Sequence, residues 1–166
     1  MRVLGVDPGS ITTGFGVVDH LSGRLSLVEH GAIRTPRGEE LAARLEQIYR
    51  ELKAVIARCG PSTVAVEAPF GGRNIKSLIQ LAHARGVILL AAREAGLEIF
   101  EYSPRSVKSA VVGYGNAEKE QVNRMIRLLL PGCAELVITD DASDALAVAI
   151  CHAHSHSLAA RIRLAR

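Results

Sequence analysis

Apolar residues follow strand patterns over the first part of this chain and recur at helical spacing from Glu39 onward, and that switch dictates the class of fold. Residues 2–7 (RVLGVD) and 13–19 (TGFGVVD) are apolar segments separated by a Pro-Gly-Ser turn, and residues 24–34 (RLSLVEHGAIR) form a third after a Ser-Gly pair. Strands joined by loops this short run antiparallel. Leu41, Leu45, Ile48, Leu52 and Val55 then lie at steps of four and three, one face of an amphipathic helix ending near Gly60. Residues 62–68 (STVAVEA) and 97–102 (LEIFEY) are short β runs on either side of a helical stretch from about Ile75 to Ala95. The predicted order is βββαβαβ followed by helices. A strand reached through a helix returns in its starting direction, so strands four and five lie parallel to the first. The expectation is an α/β fold whose mixed five-stranded sheet has three antiparallel strands, then two parallel ones, flanked by helices.

That order fixes where chemistry can sit. Asp7 closes the first strand and Glu67 the fourth, so both emerge at the carboxyl edge of parallel strands, where open α/β sheets bind ligands. An aspartate followed by Pro-Gly-Ser can hold a metal through its carboxylate, while the turn itself can hold a phosphate. The stretch TDDASDALAVAI adds acids of its own: Thr139 serves as N-cap, and Asp141 and Asp144, three apart, share one helix face. Any one of these acids alone could cap a turn or a helix. Together they form four mutually repelling carboxylates, for which oxygen-seeking Mg²⁺ or Mn²⁺ is the usual remedy.

Other properties narrow the field. A chain of 166 residues fits one domain, spanning residues 1–166, with the last residues forming a possible tail. The short apolar run before Asp7 fits neither a signal peptide nor a membrane span, which predicts a cytosolic protein with no membrane partner. Cys59, Cys133 and Cys151 are scattered and read as buried thiols. From Glu101 to Pro131, five basic side chains (Arg105, Lys108, Lys119, Arg124, Arg127) stand against three acidic ones, which marks an anion-facing surface. His152 and His156, in CHAHSHS, are one helical turn apart, yet they continue the last helix toward its C-terminus, where histidine needs no metal.

The motifs GVDPGSITTGFGV, VEAPFGGRN, LAHARGV, VKSAVVGYGNAEKEQV and DDASDALAVAI, in this order, resemble the RuvC family of Holliday junction resolvases, built on the ribonuclease H-like fold. The resemblance spans nearly the whole chain. It implies a homodimeric endonuclease that nicks opposed strands of four-way junction DNA with Mg²⁺ or Mn²⁺, two ions per site, leaving 5′-phosphate and 3′-hydroxyl ends. It places the catalytic, metal-binding carboxylates on Asp7, Glu67, Asp141 and Asp144. It also makes Lys108 and Lys119 DNA contacts, with Arg105 a further candidate, and sets Phe70 to stack on bases at the crossover. A core phenylalanine and ordinary surface lysines are the alternatives. The helix from Ile75 to Ala95, apolar nearly all round at GVILLAA, corresponds to the one that pairs the subunits. The RuvA–RuvB branch-migration complex is the implied protein partner.

Rival functions share some of these features. A phosphotransferase or ATPase of the actin and sugar-kinase class also begins with an Asp-Gly-Ser/Thr turn, but needs a second similar domain. A resolvase-like nuclease acting on RNA shares the DPG turn without the later motifs. A non-catalytic junction-binding module has no use for all four acids.

Overall fold

The computed structural model describes residues 1–69, 74–131 and 137–164. Its strands are β1 (Arg2–Asp7), β2 (Thr12–Leu21), β3 (Arg24–Arg34), β4 (Thr63–Glu67) and β5 (Glu98–Tyr102). Its helices are α1 (Leu41–Cys59), α2 (Ile75–Glu94), α3 (Pro104–Val112), α4 (Lys119–Leu129) and α5 (Asp140–Leu164). One sheet runs in the order β3-β2-β1-β4-β5. β1 is antiparallel to β2 and parallel to β4, β2 is antiparallel to β3, and β4 is parallel to β5. This is the mixed five-stranded sheet that the periodicity predicts.

Alternation along the strands divides the interior into two layers. Leu4, Val6, Val64 and Val66 face α1 and α2, where they meet Ile48, Leu52, Val55, Ala84 and Ile88. Val3 and Ala65 face the other way, toward α3, α4 and α5. By the same alternation Asp7, two residues beyond Gly5, and Glu67, two beyond Ala65, belong to the α5 side.

Helix α5 comes unusually close to this side because the sheet beneath it has almost no side chains. Gly5 is paired with Gly16, and Asp7 with Gly14. A Cβ on Gly5 would overlap the Ala145 carbonyl oxygen and lie 2.6 Å from the Ala149 amide nitrogen; one on Gly14 would overlap the carbonyl oxygen of Asp141. Ala142, Ala145 and Ala149 are fully buried on the facing side of the helix. Backbone therefore meets backbone, and the first turn of α5 lies beside the ends of β1 and β4.

The turn after β1 is tied down as firmly. Thr13 Oγ1 donates to the Gly9 carbonyl at 2.7 Å, Thr35 Oγ1 to the Ser10 carbonyl at 2.9 Å, and Arg44 Nη1 to the same carbonyl at 3.2 Å. Arg44 was not foreseen by the helical spacing, which counts Leu41 and Leu45 as the buried face; both are half-buried, and Arg44 takes the interior place so as to reach Ser10. Cys59 and Cys151 are buried free thiols as expected, and Cys133 lies outside the described residues. His152 is also buried, its Nδ1 2.8 Å from the Tyr102 hydroxyl and its ring 4.3 Å from that of Phe100. It is a core residue, held neutral by burial, with a pKa lowered to about 4.

Candidate active site

Four elements deliver the site. β1 and β4 end side by side, so Asp7 and Glu67 are neighbours at the carboxyl edge of the sheet. α5 starts at Asp140 with Thr139 as its N-cap, the Thr139 Oγ1 accepting from the Ala142 amide at 3.4 Å. Its first two turns carry Asp141 and Asp144 toward the strand ends. α3 is capped by Ser103, whose Oγ accepts from the Ser106 amide at 3.1 Å, and brings Lys108. α4 begins with Lys119, after a turn in which Gln121 Oε1 accepts from the Glu118 amide at 2.8 Å.

Two adjoining cavities open here and share Glu67 and Pro104. One, of about 200 Å³, is lined by Asp7, Pro8, Glu67, Pro69 and Arg85. The other, of about 250 Å³, is lined by Glu67, Lys108, Lys119, Val122 and Asp144. Carboxylates thus occupy the middle and cations stand on either side.

The electrostatics are those of a site with too much negative charge. Burial, then the charges of Glu67 and Asp144, push the Asp7 carboxyl up to about 8, and it hydrogen-bonds to Glu67 as the protonated partner. Glu67 is raised by burial, against the lowering effect of that hydrogen bond and of Lys108 and Lys119. Asp144 is raised by burial although Lys119 opposes the shift. Lys119 Nζ lies 3.0 Å from Asp144 Oδ2 and 3.4 Å from Asp140 Oδ2. Burial disfavours its ammonium, but Asp144 and Asp140 outweigh that and keep its pKa above the ordinary lysine value. A shared proton and one ammonium thus do the work of charge neutralisation.

Asp141 is near enough for its charge to act on both Asp7 and Asp144. Among the described residues, however, no three acidic, histidine or cysteine side chains are already gathered as a ligand cluster. Asp144 is engaged by Lys119 instead. The donor set fits a divalent cation well. It is all oxygen, hard and anionic, and fixed on two strands and a helix whose approach is set by glycines.

Of the remaining expected contacts, Arg105 is exposed on α3 and lines a third cavity, of about 380 Å³, with Lys108, Gly115 and Asn116; it adjoins the second through Lys108 and Pro104. Phe70 lies outside the described residues. The sequence reading missed Arg85, which lines the Asp7 cavity, and its partner Glu101. The available sign was a lone arginine inside the apolar helical stretch LAHARGVILLAA.

Comparison with known proteins identifies the family. The family described as Crossover junction endodeoxyribonuclease RuvC matches residues 3–152. The RuvC of Syntrophomonas wolfei subsp. wolfei is 51% identical over 95% of this chain and 91% of its own length. That of Caldanaerobacter subterraneus subsp. tengcongensis is 45% identical over 100% of both. The structure of T. thermophilus RuvC in complex with Holliday junction substrate superposes with a TM-score of 0.90 at 34% identity, covering 96% of each chain. A yeast mitochondrial Holliday junction resolvase shares the fold, with a TM-score of 0.70 at 11% identity. With a family match over residues 3–152 and relatives about half identical over nearly its full length, the chain belongs to the RuvC family of crossover junction endodeoxyribonucleases.

Proposed function

We propose that this chain is a structure-selective endodeoxyribonuclease that resolves four-way DNA junctions by paired nicks in opposed strands during recombination and repair. The observation that carries the reading is the grouping of Asp7, Glu67 and Asp144 at the ends of the central parallel strands and the start of α5, with Lys108 and Lys119 beside them. When held by Asp7, Glu67, Asp141 and Asp144, Mg²⁺ or Mn²⁺ (two ions per site) supplies Lewis acidity to the scissile phosphate and makes water a competent nucleophile. The protein's part is to fix those oxygens on rigid elements and to confine the reacting strand between Pro8, Pro69 and Pro104. Lys108 and Lys119 neutralise phosphates of that strand. Phe70, three residues past Glu67, is assigned to stack on bases opened at the crossover. Hydrolysis leaves 5′-phosphate and 3′-hydroxyl ends. An enzyme of chromosomal junctions works in the cytoplasm of a bacterium, alongside the RuvA–RuvB branch-migration machinery.

The test is cleavage of an immobile four-way junction with nick positions mapped on all strands. Symmetric nicks with Mg²⁺ or Mn²⁺, and none with a chelator, are expected. Comparable cutting of structured RNA, or cutting that survives metal removal, would overturn the reading. Lys108→Ala should weaken binding and lower the slope of log affinity against log salt by about 0.9, the value for one lost phosphate contact on B-form DNA.

Two opposed cuts call for two sites, and α2 supports a two-fold dimer as their source. Ala84, Ile88, Ala91 and Ala92 pack on the sheet and α1, while Ile75, Leu78, Ile79 and Leu90 are exposed along the opposite side. Among the described residues α2 is the helix long and apolar enough to span a membrane, but its packed side makes it a core helix with an uncovered apolar face. Leu89 is partly buried against the core and Leu90 is 52% exposed, so Leu90→Glu separates association from folding. It should give a folded monomer by light scattering that turns a cruciform plasmid into nicked circles instead of linear product. A Leu90→Glu protein that remains dimeric would move the interface elsewhere.

A further inference from the structure

Arg85 stands in the inward-facing half of α2, beside Ala84 and one turn before Ile88, both fully buried. Its guanidinium is ion-paired with Glu101 on β5, and its Nε is buried without a hydrogen-bond partner. The side chain is 21% exposed, reached from the cavity that it lines together with Asp7 and Glu67. It is the one cation among the residues described as lining that cavity.

The pairing with Glu101 resolves an electrostatic conflict. A free guanidinium beside these acids would bind Asp7 or Glu67 and compete with a metal ion for them. Glu101, at the end of β5 and outside the carboxylate group, engages it instead and orients its planar fork. A guanidinium carries five N–H donors, and one carboxylate uses at most part of them. Nε is buried, which leaves only donors of the guanidinium's outer nitrogens to meet an anion entering the cavity. Lys108 and Lys119 line the neighbouring cavity on the far side of Glu67, so a nucleic-acid backbone crossing the acids meets cations both before and after them.

We propose that Arg85, oriented by Glu101, grips a phosphate flanking the cut, on the Asp7 side of the carboxylates. The assignment rests on the nuclease reading and adds a DNA-contacting residue to it. The same helix that presents the apolar face of Leu78, Ile79 and Leu90 thereby also reaches the reacting strand.

The test uses wild-type protein, Arg85→Ala, Arg85→Lys, and the double variant Arg85→Gln with Glu101→Gln, which keeps an uncharged hydrogen-bonded bridge between α2 and β5. Junction binding is measured against salt in a chelator, where no nicking occurs. Single-turnover nicking is measured at saturating Mg²⁺ on junctions in which each phosphate near the cut is replaced in turn by a neutral methylphosphonate. Wild type should be sensitive at one phosphate flanking the cut. Arg85→Ala should nick about tenfold more slowly or worse, lose that sensitivity, and show a binding slope lower by about 0.9. Arg85→Lys should recover part of the rate, because an ammonium restores charge but not the bidentate fork. The double variant should melt like wild type yet behave like Arg85→Ala. A double variant that nicks and binds like wild type, or an Arg85→Ala protein with an unchanged methylphosphonate profile, would overturn the proposal and make Arg85 a bridge between elements. Failure of wild type to nick the junction would instead overturn the nuclease reading.

Discussion

Asp7→Asn is expected to slow junction nicking by well over about 100-fold while making the metal-free protein more stable at pH 8. The lower bound follows from metal sites generally, where loss of a mere outer-shell partner already costs roughly 10- to 100-fold. The gain in stability follows from the Asp7 carboxyl, which burial and the neighbouring Glu67 and Asp144 charges raise from 3.8 to about 8. Between those values the folded chain holds a proton that the unfolded chain has released. Stability from this group is therefore fully present below about pH 4 and is lost as the pH rises through 8. Asparagine is neutral throughout and escapes the loss. Melting curves in a chelator should show a gap between variant and wild type that widens from pH 5 to pH 8. Mg²⁺ should close it by stabilising wild type more strongly, since a ligand of the folded state alone raises its stability. Junction binding in the chelator should survive, because the lysines remain. A variant that nicks at the wild-type rate would remove Asp7 from the site, and a gap independent of pH would remove the charge crowding.

Gly5→Ala is expected to cost about 3 kcal/mol or more, the upper end for overpacking, because what its methyl meets is backbone that cannot rotate away. For a domain of this size such a loss threatens folding itself. Gly14→Ala separates assembly of the site from folding. Its methyl meets the Asp141 carbonyl at the first turn of α5, so the helix end is displaced while its centre stays seated over Gly5 and Gly16. Gly14→Ala should melt within several degrees of wild type, bind junction, and need far more Mg²⁺ to nick it. Circular dichroism melts and a metal titration of the nicking rate measure the two effects. A Gly14→Ala protein with wild-type metal dependence would show that close seating of α5 is unnecessary for the chemistry.

The strand and helix order was legible because each segment bears a clear period, and the parallel return of β4 and β5 follows from connection geometry alone. The placement of Asp7 and Glu67 was legible for the same reason, since topology fixes where a strand end lies, whatever its side chain does; Asp141 and Asp144 were legible only as an i, i+3 pair at a helix start. The cations were harder. Lys119 on Asp144 and Asp140, Arg85 on Glu101, and Arg44 on the Ser10 carbonyl all join elements distant in sequence. Such pairs depend on side-chain reach, which no local pattern encodes. α2 shows the limit most plainly. Its apolar composition announces two buried sides, but only packing reveals that Ile88 faces the sheet and Leu90 does not.

The ends of β1 and β4 and the first turn of α5 come together because α5 settles onto glycines of β1 and β2. On the proposed reading, a chain in which the sheet has formed but this helix has not docked holds only Asp7 and Glu67 of the four metal ligands. Bringing such remote segments together carries an entropic cost of loop closure. On that reading nuclease competence is coupled to the docking of α5.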